Sequence, residues 1–210
     1  MSHTARMVAL LGEFRRERNG LVADTMYYEG SRYGLNYGVS LPTLRRIVGG
    51  GCRDHDFACF LRRQEVRCLQ LSALHLADPE RLHTADEAAD WLRFLTNSEL
   101  AEEAAYALFS RSTALPIHFV EWLQMAEHYG CYALVMALAR TTAVRADHLE
   151  AAFAALHRSS SHLMAKGVVT LAAAAAVQSE ELRQRIERLM AATDLPFGDY
   201  IRDELAWRIQ

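Results

Sequence analysis

The chain is 210 residues long and 51% hydrophobic, which is enough for one large domain or a short solenoid with a continuous core. Its net charge of −3 is unevenly distributed: residues 1–70 carry +4, residues 71–150 carry −7, and residues 151–210 carry zero. A dedicated non-specific DNA binder has a stronger basic excess, because phosphate contacts dominate its affinity. The composition therefore restricts phosphate binding to the N-terminal third or to local clusters of basic residues.

Several classes of functional site lack their sequence pattern. The four cysteines form no CxxC pair, the nine histidines form no HExxH motif, and no Walker A, GxGxxG or GxSxG sequence occurs. We therefore expect no metal ion and no organic cofactor. The first 30 residues lack the apolar segment of a secretory signal, and the longest apolar run, at 167–177, is too short to cross a bilayer. We expect a cytoplasmic protein without a membrane partner.

Apolar residues recur with helical periodicity along almost the whole chain, and few segments alternate apolar and polar residues. This pattern predicts an all-α protein. The predicted helices lie at about 4–18, 20–31, 41–50, 54–63, 65–76, 84–95, 98–110, 116–128, 130–141, 146–157, 160–177, 180–191 and 196–208.

Several predicted helices begin at residues that favour a helix start. Ser40 can cap the helix that follows it, and Thr84 and Glu87 have the spacing of a capping box. Pro116 and Pro196 suit the first turns of two later helices. The glycines at 49–51 can end a helix and turn the chain.

The predicted helices alternate in character. The amphipathic segment 117–128 precedes the apolar segment 131–139, and 151–156 precedes the apolar segment 163–177. An amphipathic helix paired with a buried one is typical of an α-solenoid, although an irregular helical bundle is the alternative. No low-complexity linker interrupts the chain, so we predict a single domain over residues 1–210.

In the segment Asn19–Arg46, a Gly-rich loop joins two predicted helices, and the sequence Ser-Leu-Pro starts the second helix. It resembles the N-terminal signature of the bacterial DNA alkylation repair family, the AlkD-like DNA glycosylases. The resemblance implies a right-handed α-solenoid of about six HEAT-like helix pairs with a concave groove. It also implies that the partner is double-stranded DNA, including alkylated DNA.

The resemblance extends to the hexad at residues 97–102, Asn-Ser-Glu-Leu-Ala-Glu, which corresponds to the Asn-Trp-Asp-Leu-Val-Asp motif of catalytic members. It implies that Glu102 is the catalytic carboxylate, which stabilises positive charge on the deoxyribose as the N-glycosidic bond breaks. Ser98 stands where the family has a DNA-contacting Trp. On a helix, Ser98, Glu102, Tyr106 and Phe109 are expected to share one face. The alternative is that Glu102 belongs to a solvated first-turn carboxylate cluster.

Two later segments match inner helices of the family that contact DNA. Lys166 is the only lysine, and Thr170 replaces a family Trp in the same segment. Tyr132 or Ala133 takes the place of a cleft Arg. The resemblance implies that Lys166, Thr170 and Tyr132 contact DNA; alternatively, the Lys166 stem covers apolar surface while its ammonium group reaches water.

Clustered arginines form a further candidate surface in the N-terminal third. Arg45 and Arg46 follow the Ser-Leu-Pro entry and have Arg62, Arg63 and Arg67 nearby in sequence. On one face they would bind phosphate, although such residues are more often a solvated face.

The function predicted from the resemblance is binding of damaged DNA, with hydrolysis of the N-glycosidic bond of alkylated purines as the reaction Glu102 would assist. The alternative function is a non-catalytic HEAT-repeat scaffold that binds a protein or an unusual nucleic-acid structure. The acidic middle third and the replaced aromatic positions favour the scaffold.

Overall fold

The computed structural model describes residues 1–29, 33–49, 52–191 and 194–208. These residues form thirteen α-helices and two 3-10 turns, and their β pairing consists of one parallel bridge between Leu35 and Val66. Every predicted helix is present, so the all-α prediction is confirmed. Within the described ranges, no helix combines the length and the apolarity that crossing a membrane would require.

Two compact units divide the chain at Arg81. The helices of the N-terminal unit are α1 (His3–Arg16), α2 (Gly20–Tyr28), α3 (Leu41–Val48), α4 (His55–Leu61) and α5 (Arg67–Leu76), with a 3-10 turn at Pro79–Arg81. Helix α5 packs against α1, α3 and α4. Its Leu69, Leu71 and Leu74 are almost completely buried, so α5 supplies much of the core of this unit.

The segment that carries the family signature has the local structure that its sequence predicts. Ser40 caps α3 by accepting a 3.3 Å hydrogen bond from the Thr43 N–H, and Pro42 lies in the first turn. Gly38 has a φ of +67°, and a Cβ at this position would lie 1.9 Å from the carbonyl oxygen of Asn19. The loop therefore needs glycine where it approaches the start of α2.

The ends of two predicted helices lie outside the described residues, which omit 30–32 and 50–51. These are the last positions of the predicted helices at 20–31 and 41–50. Of the predicted glycine turn, Gly49 is the C-cap of α3, while Gly50 and Gly51 lie outside the described residues.

The C-terminal unit is built from two layers of helices. Its helices are α6 (Ala85–Phe94), α7 (Ser98–Ala107), α8 (Leu115–Met125), α9 (His128–Leu138), α10 (Ala146–Arg158), α11 (His162–Ala176), α12 (Glu180–Met190) and α13 (Gly198–Arg208). Each even-numbered helix packs against the next even-numbered one, and each odd-numbered helix packs against the next odd-numbered one. We call these the even layer and the odd layer.

The two layers differ in burial, as the alternating sequence predicts. In α9 of the odd layer eight of eleven residues are buried, whereas α8 of the even layer buries four of eleven. The layers are held together because α8 packs on α9, and α10 packs on α11. This repeated pairing is an α-solenoid arrangement rather than an irregular bundle.

Most helix starts are confirmed, and two details of the prediction are wrong. Thr84 and Glu87 form the predicted capping box of α6, and Pro116 lies in the first turn of α8. The predicted helix at 98–110 ends at Ala107, and a 3-10 turn follows at Phe109–Arg111. Pro196 precedes α13 instead of lying in its first turn, because Phe197 adopts a left-handed φ of +55° before the helix begins at Gly198.

Candidate nucleic-acid interface

The start of α7 places the predicted catalytic carboxylate on an exposed face. The Asn97 side chain accepts a 2.9 Å hydrogen bond from the Leu100 N–H, which caps the helix. Because Leu100 is completely buried, Ser98 and Glu102 lie on the opposite side and are exposed. Tyr106, one turn further, is 40% exposed.

Phe109 does not share this face, so that part of the prediction is wrong. It lies in the 3-10 turn after α7 and is completely buried. The reason is the break at Leu108, whose φ of −117° and ψ of −70° depart from α-helical geometry and change the direction of the side chains that follow.

Glu102 is held by a tyrosine from the next helix of the odd layer. The Tyr132 hydroxyl donates a 3.1 Å hydrogen bond to Glu102 Oε1. The residue Tyr132 is 2% exposed, and burial, followed by the charge of Glu102, raises the pKa of Tyr132 above its usual value of 10.0. The hydroxyl therefore remains a donor at neutral pH, and Tyr132 positions Glu102 from within the layer.

The same tyrosine ring packs against the helix that carries Lys166. A Cβ at Gly167 would lie 3.1 Å from a ring carbon of Tyr132, so the absence of a side chain lets α11 approach the ring. Lys166 precedes this glycine and is exposed. Thr170 donates its hydroxyl hydrogen to the Lys166 carbonyl oxygen at 2.8 Å and is half-buried. Glu102, Tyr132 and Lys166 thus lie on three successive helices of one layer.

Three cations of these helices have no carboxylate partner among the described residues. They are Lys166 on α11, Arg140 just after α9, and Arg111 after α7. Arg140 donates to the Met136 carbonyl oxygen at 2.6 Å, and the Arg111 guanidinium lies 5.5 Å from the centre of the Tyr106 ring. All three residues are exposed, so they remain available to an anion.

Arginines of the even layer are mostly engaged within the protein. Arg93 pairs with Asp90 at 2.5 Å, and Arg185 of α12 pairs with Glu150 of α10. Arg145 pairs with Asp147, and Arg183 pairs with Glu180. Arg158 and Arg188 have no carboxylate partner among the described residues and contact main-chain carbonyl oxygens, as Arg140 does. The last odd helix resembles the even layer, with Arg202 paired to Asp199 and Arg208 paired to Glu204.

Much of the acidity of the middle third also belongs to the even layer. Exposed carboxylates of the even layer include those of Asp86, Glu87, Asp90, Glu121 and Glu150. In the odd layer, Glu103 is 2% exposed, whereas Glu102 on α7 and Glu127 at the start of α9 are exposed. The net charge of −7 over residues 71–150 therefore does not make the exposed face of the odd layer uniformly acidic.

The arginines proposed for the N-terminal third do not form one solvated face. Arg67 is 3% exposed and donates to the Val39 carbonyl oxygen at 2.7 Å, so it belongs neither to a phosphate-binding cluster nor to a solvated face. Arg46 is exposed and pairs with Glu17 at 2.8 Å. Arg45 is half-buried, and Arg63 is exposed.

Sequence reasoning missed Arg111 and Arg140. The spacing of Tyr132, Met136 and Arg140 puts them on one face of the helix predicted at 130–141, and this could have placed Arg140 beside the predicted site. Among the described residues, no group of three or more His, Cys, Asp or Glu side chains could hold a metal ion.

We compared the chain with known families, curated proteins and solved structures. No family model and no curated protein matches it. A solved structure is similar over 99% of this chain and 95% of its own, with a TM-score of 0.70 and 13% sequence identity. That protein is described as one of a new family related to the HEAT-like repeat DNA glycosylases, with affinity for branched DNA structures.

The chain has a HEAT-like repeat fold. The structural neighbour thus confirms the fold that the sequence resemblance implies. At 13% identity the likeness extends to the fold alone.

Proposed function

We propose that this protein binds DNA through the exposed face of the odd layer of its C-terminal unit, and that it prefers branched DNA to plain duplex. The observation that carries the proposal is the set of three exposed cations, Arg111, Arg140 and Lys166, without carboxylate partners among the described residues. They lie on or just after α7, α9 and α11, the helices that carry the Glu102–Tyr132 pair or pack against it.

Unpaired cations favour a phosphate ligand because no existing ion pair has to break. Each phosphate contact releases condensed counterions from DNA, which makes the affinity depend on salt. Four of the six arginines that the structure describes in the even layer would first have to give up a carboxylate, such as Asp90 or Glu150. The odd layer is therefore the better candidate surface for a polyanion.

The preference for branched DNA is supported by the structural neighbour and by the replaced cleft residues. The neighbour is described as having affinity for branched DNA structures. Ser98 and Thr170 stand where the resembled family has tryptophans that grip a lesion-bearing nucleotide, and neither presents an aromatic surface. Recognition of DNA shape needs backbone contacts but no such grip on one nucleotide.

The test compares cations of the two layers. Fluorescence anisotropy would measure the binding of a labelled DNA fork and of a blunt duplex to the wild type and to two triple variants. The first variant removes the odd-layer cations: Arg111→Gln/Arg140→Gln/Lys166→Gln. The second removes paired arginines of the even layer: Arg93→Gln/Arg183→Gln/Arg185→Gln. We expect the first triple variant to bind the fork about 10-fold to 100-fold more weakly and to lose about 3 from the log–log salt slope. The second should bind like the wild type.

An equal loss in both triple variants would show that binding follows overall charge and would contradict the proposal. A wild type that binds neither DNA would contradict it as well, and would favour the scaffold that binds a protein.

A second candidate activity is hydrolysis of the N-glycosidic bond of an alkylated, cationic purine. Glu102 favours it, because its carboxylate is exposed, is oriented by the Tyr132 hydroxyl, and can stabilise a developing positive charge. In this activity Glu102 is the catalytic residue, and Tyr132 is a positioning residue.

Release of modified bases from methylated duplex DNA tests this activity, with wild type compared with Glu102→Gln. Release that is lost in Glu102→Gln but kept in Glu99→Gln would support it. Absence of release from the wild type, in a preparation that binds DNA, would refute hydrolysis and leave the DNA-binding proposal standing.

A further inference from the structure

An exposed aromatic cluster lies where the last two helices of the odd layer begin. The ring centres of His162 on α11 and Tyr200 on α13 are 4.6 Å apart, and His162 is 6.3 Å from Phe197. Phe197 is 38% exposed, His162 is exposed, and Tyr200 is half-buried. Trp207, two turns beyond Tyr200 on α13, is 80% exposed. The function proposed above, phosphate binding by the cations and a role for Glu102, gives these exposed rings no part.

The main chain of Phe197 has an unfavourable, left-handed conformation. Its φ of +55° lies in the left-handed region, which costs a non-glycine residue free energy. The Phe197 carbonyl oxygen accepts a 2.9 Å hydrogen bond from the Ile201 N–H and so stabilises the first turn of α13. The ring nonetheless remains partly in solvent, beside His162.

Lys166 supplies a cation beside the cluster. Lys166 lies one helical turn after His162, on the same side of α11, and has no ion pair among the described residues. Asp199 and Glu204, near Tyr200, are neutralised by Arg202 and Arg208.

Two exposed carboxylates near the cluster have no ion pair among the described residues: Asp194, three residues before Phe197, and Asp203, about 60° around α13 from Tyr200. A cation beside exposed rings is the combination that single-stranded nucleic acid requires, because phosphate and base are bound together.

Resting on the DNA-binding function above, we propose that Phe197, Tyr200 and His162 form a stacking site for an unpaired nucleobase at a DNA branch point, with Lys166 holding the adjacent phosphate. Every base has an aromatic face, so such a site would recognise the unpaired strand of a branch without reading its sequence. A fully paired duplex offers no free base to stack. The site would thus distinguish branched DNA from duplex.

The experiment uses the full chain and a DNA fork with 2-aminopurine at the first unpaired position of one arm. Fluorescence of 2-aminopurine decreases when the base stacks on an aromatic ring. For Phe197→Leu/Tyr200→Leu we expect fork binding about 5-fold to 100-fold weaker than wild type, loss of the fluorescence decrease, and blunt-duplex binding within about 2-fold. Tyr28→Leu is the control, because Tyr28 is an 85% exposed tyrosine of the N-terminal unit.

A conservative variant separates stacking from folding. Phe197→Tyr/Tyr200→Phe keeps both rings, and we expect it to retain the fork preference and the fluorescence decrease, with circular dichroism melting used to compare all variants. Unchanged fork binding by the leucine variant, or an equal loss of fork and duplex binding, would overturn the stacking site and leave DNA binding itself intact. The first of these results would instead favour an apolar protein segment on this face. A wild type without DNA binding would overturn both proposals.

Discussion

The two layers of the C-terminal unit are built from similar helices but use their charged residues differently. In the even layer, Arg185 of α12 pairs with Glu150 of α10, and Arg93 pairs with Asp90 within α6. On α7, α9 and α11 of the odd layer, a buried tyrosine holds Glu102, while Lys166 has no carboxylate partner among the described residues. Most cations of the even layer are paired within the fold, whereas the cations on or just after α7, α9 and α11 of the odd layer are available to a ligand.

This difference means that the charged residues of the two layers affect different properties: folding stability in the even layer and ligand binding in the odd layer. Exposed ion pairs contribute only about 0–1 kcal/mol each, so the even layer does not depend strongly on any one of them. An exposed cation without a partner contributes still less to folding, but it adds directly to the attraction of a polyanion. Substitutions in the two layers should therefore affect different measurements.

The largest effect is expected from reversing one charge in each layer. Lys166→Glu should weaken binding of a DNA fork on the order of 10-fold or more, because it replaces a phosphate contact with repulsion. Arg188→Glu is the matched control: Arg188 is an exposed cation of the even layer whose guanidinium contacts the Gln184 carbonyl oxygen. Its fork affinity should stay within about 2-fold of wild type in the same anisotropy assay. An equal loss of fork affinity in Lys166→Glu and Arg188→Glu would show that DNA binding does not depend on the odd layer in particular.

A second substitution disturbs the packing that joins α9 to α11. Gly167→Leu should lower the free energy of unfolding by about 1–3 kcal/mol, because even a Cβ would lie 3.1 Å from the Tyr132 ring. Gly12→Leu is the control, since a Cβ there meets nothing within 4 Å and leucine favours the helix α1. Urea unfolding measures both. A Gly167→Leu variant as stable as wild type would show that α11 does not need this close approach.

Removing one hydroxyl group tests the link between Glu102 and Tyr132. Tyr132→Phe should lose about 0.5–1.5 kcal/mol of stability, as is typical for one hydrogen bond. Tyr129→Phe, on the same helix, removes a hydroxyl that has no hydrogen bond among the described residues, and its stability should not change. If the two variants have the same urea midpoint, the Glu102–Tyr132 hydrogen bond does not form in solution.

The smallest expected effect is on the pH dependence of folding stability, through His148 of α10 in the even layer. His148 is completely buried, accepts a hydrogen bond from the Arg145 N–H, and lies 3.0 Å from the Pro116 carbonyl oxygen. Burial, followed by the charge of Arg145, lowers the pKa of His148 below 6.5. The folded state therefore favours the neutral ring. The stabilising contribution of the neutral His148 ring is fully present above pH 6.5 and is lost as the pH falls below 6.5 and through the lower pKa of the folded state.

His148→Gln should reduce the fall in melting temperature between pH 7.5 and pH 5.5, because glutamine suits the same capping position without gaining a proton. His157→Gln, at an exposed position of α10, should melt with the wild-type pH dependence. An unchanged pH dependence in His148→Gln would show that this histidine is not the group that titrates.

The sequence contains enough information for the fold, because capping residues and helical periodicity are local signals. Thr84, Glu87 and Asn97 start the helices where they are expected, and the contrast between α8 and α9 predicts two layers. The early end of α7 is different: Ala107 and Leu108 carry no sequence signal for a helix end, and tertiary packing buries Phe109.

The site is only partly predictable, because its decisive contacts join distant residues. The family resemblance assigns Glu102 and Lys166 to helices that contact DNA, and both of these helices belong to the odd layer. The hydrogen bond from Tyr132, 30 positions from Glu102, depends on the register between two packed helices. Whether an arginine is paired depends on neighbours such as Glu150 for Arg185, which no local pattern specifies.

Hydroxyl-radical footprinting of the protein with and without a DNA fork tests the central claim most directly, since it reports which side chains the DNA covers. Tyr106 of α7 and Ile117 of α8 are both exposed, at 40% and 72%, and belong to different layers. If the odd layer binds DNA, oxidation of Tyr106 decreases on addition of the fork while oxidation of Ile117 and of Met125 on α8 stays the same. Protection of Ile117 and Met125 with no protection of Tyr106 would contradict the account.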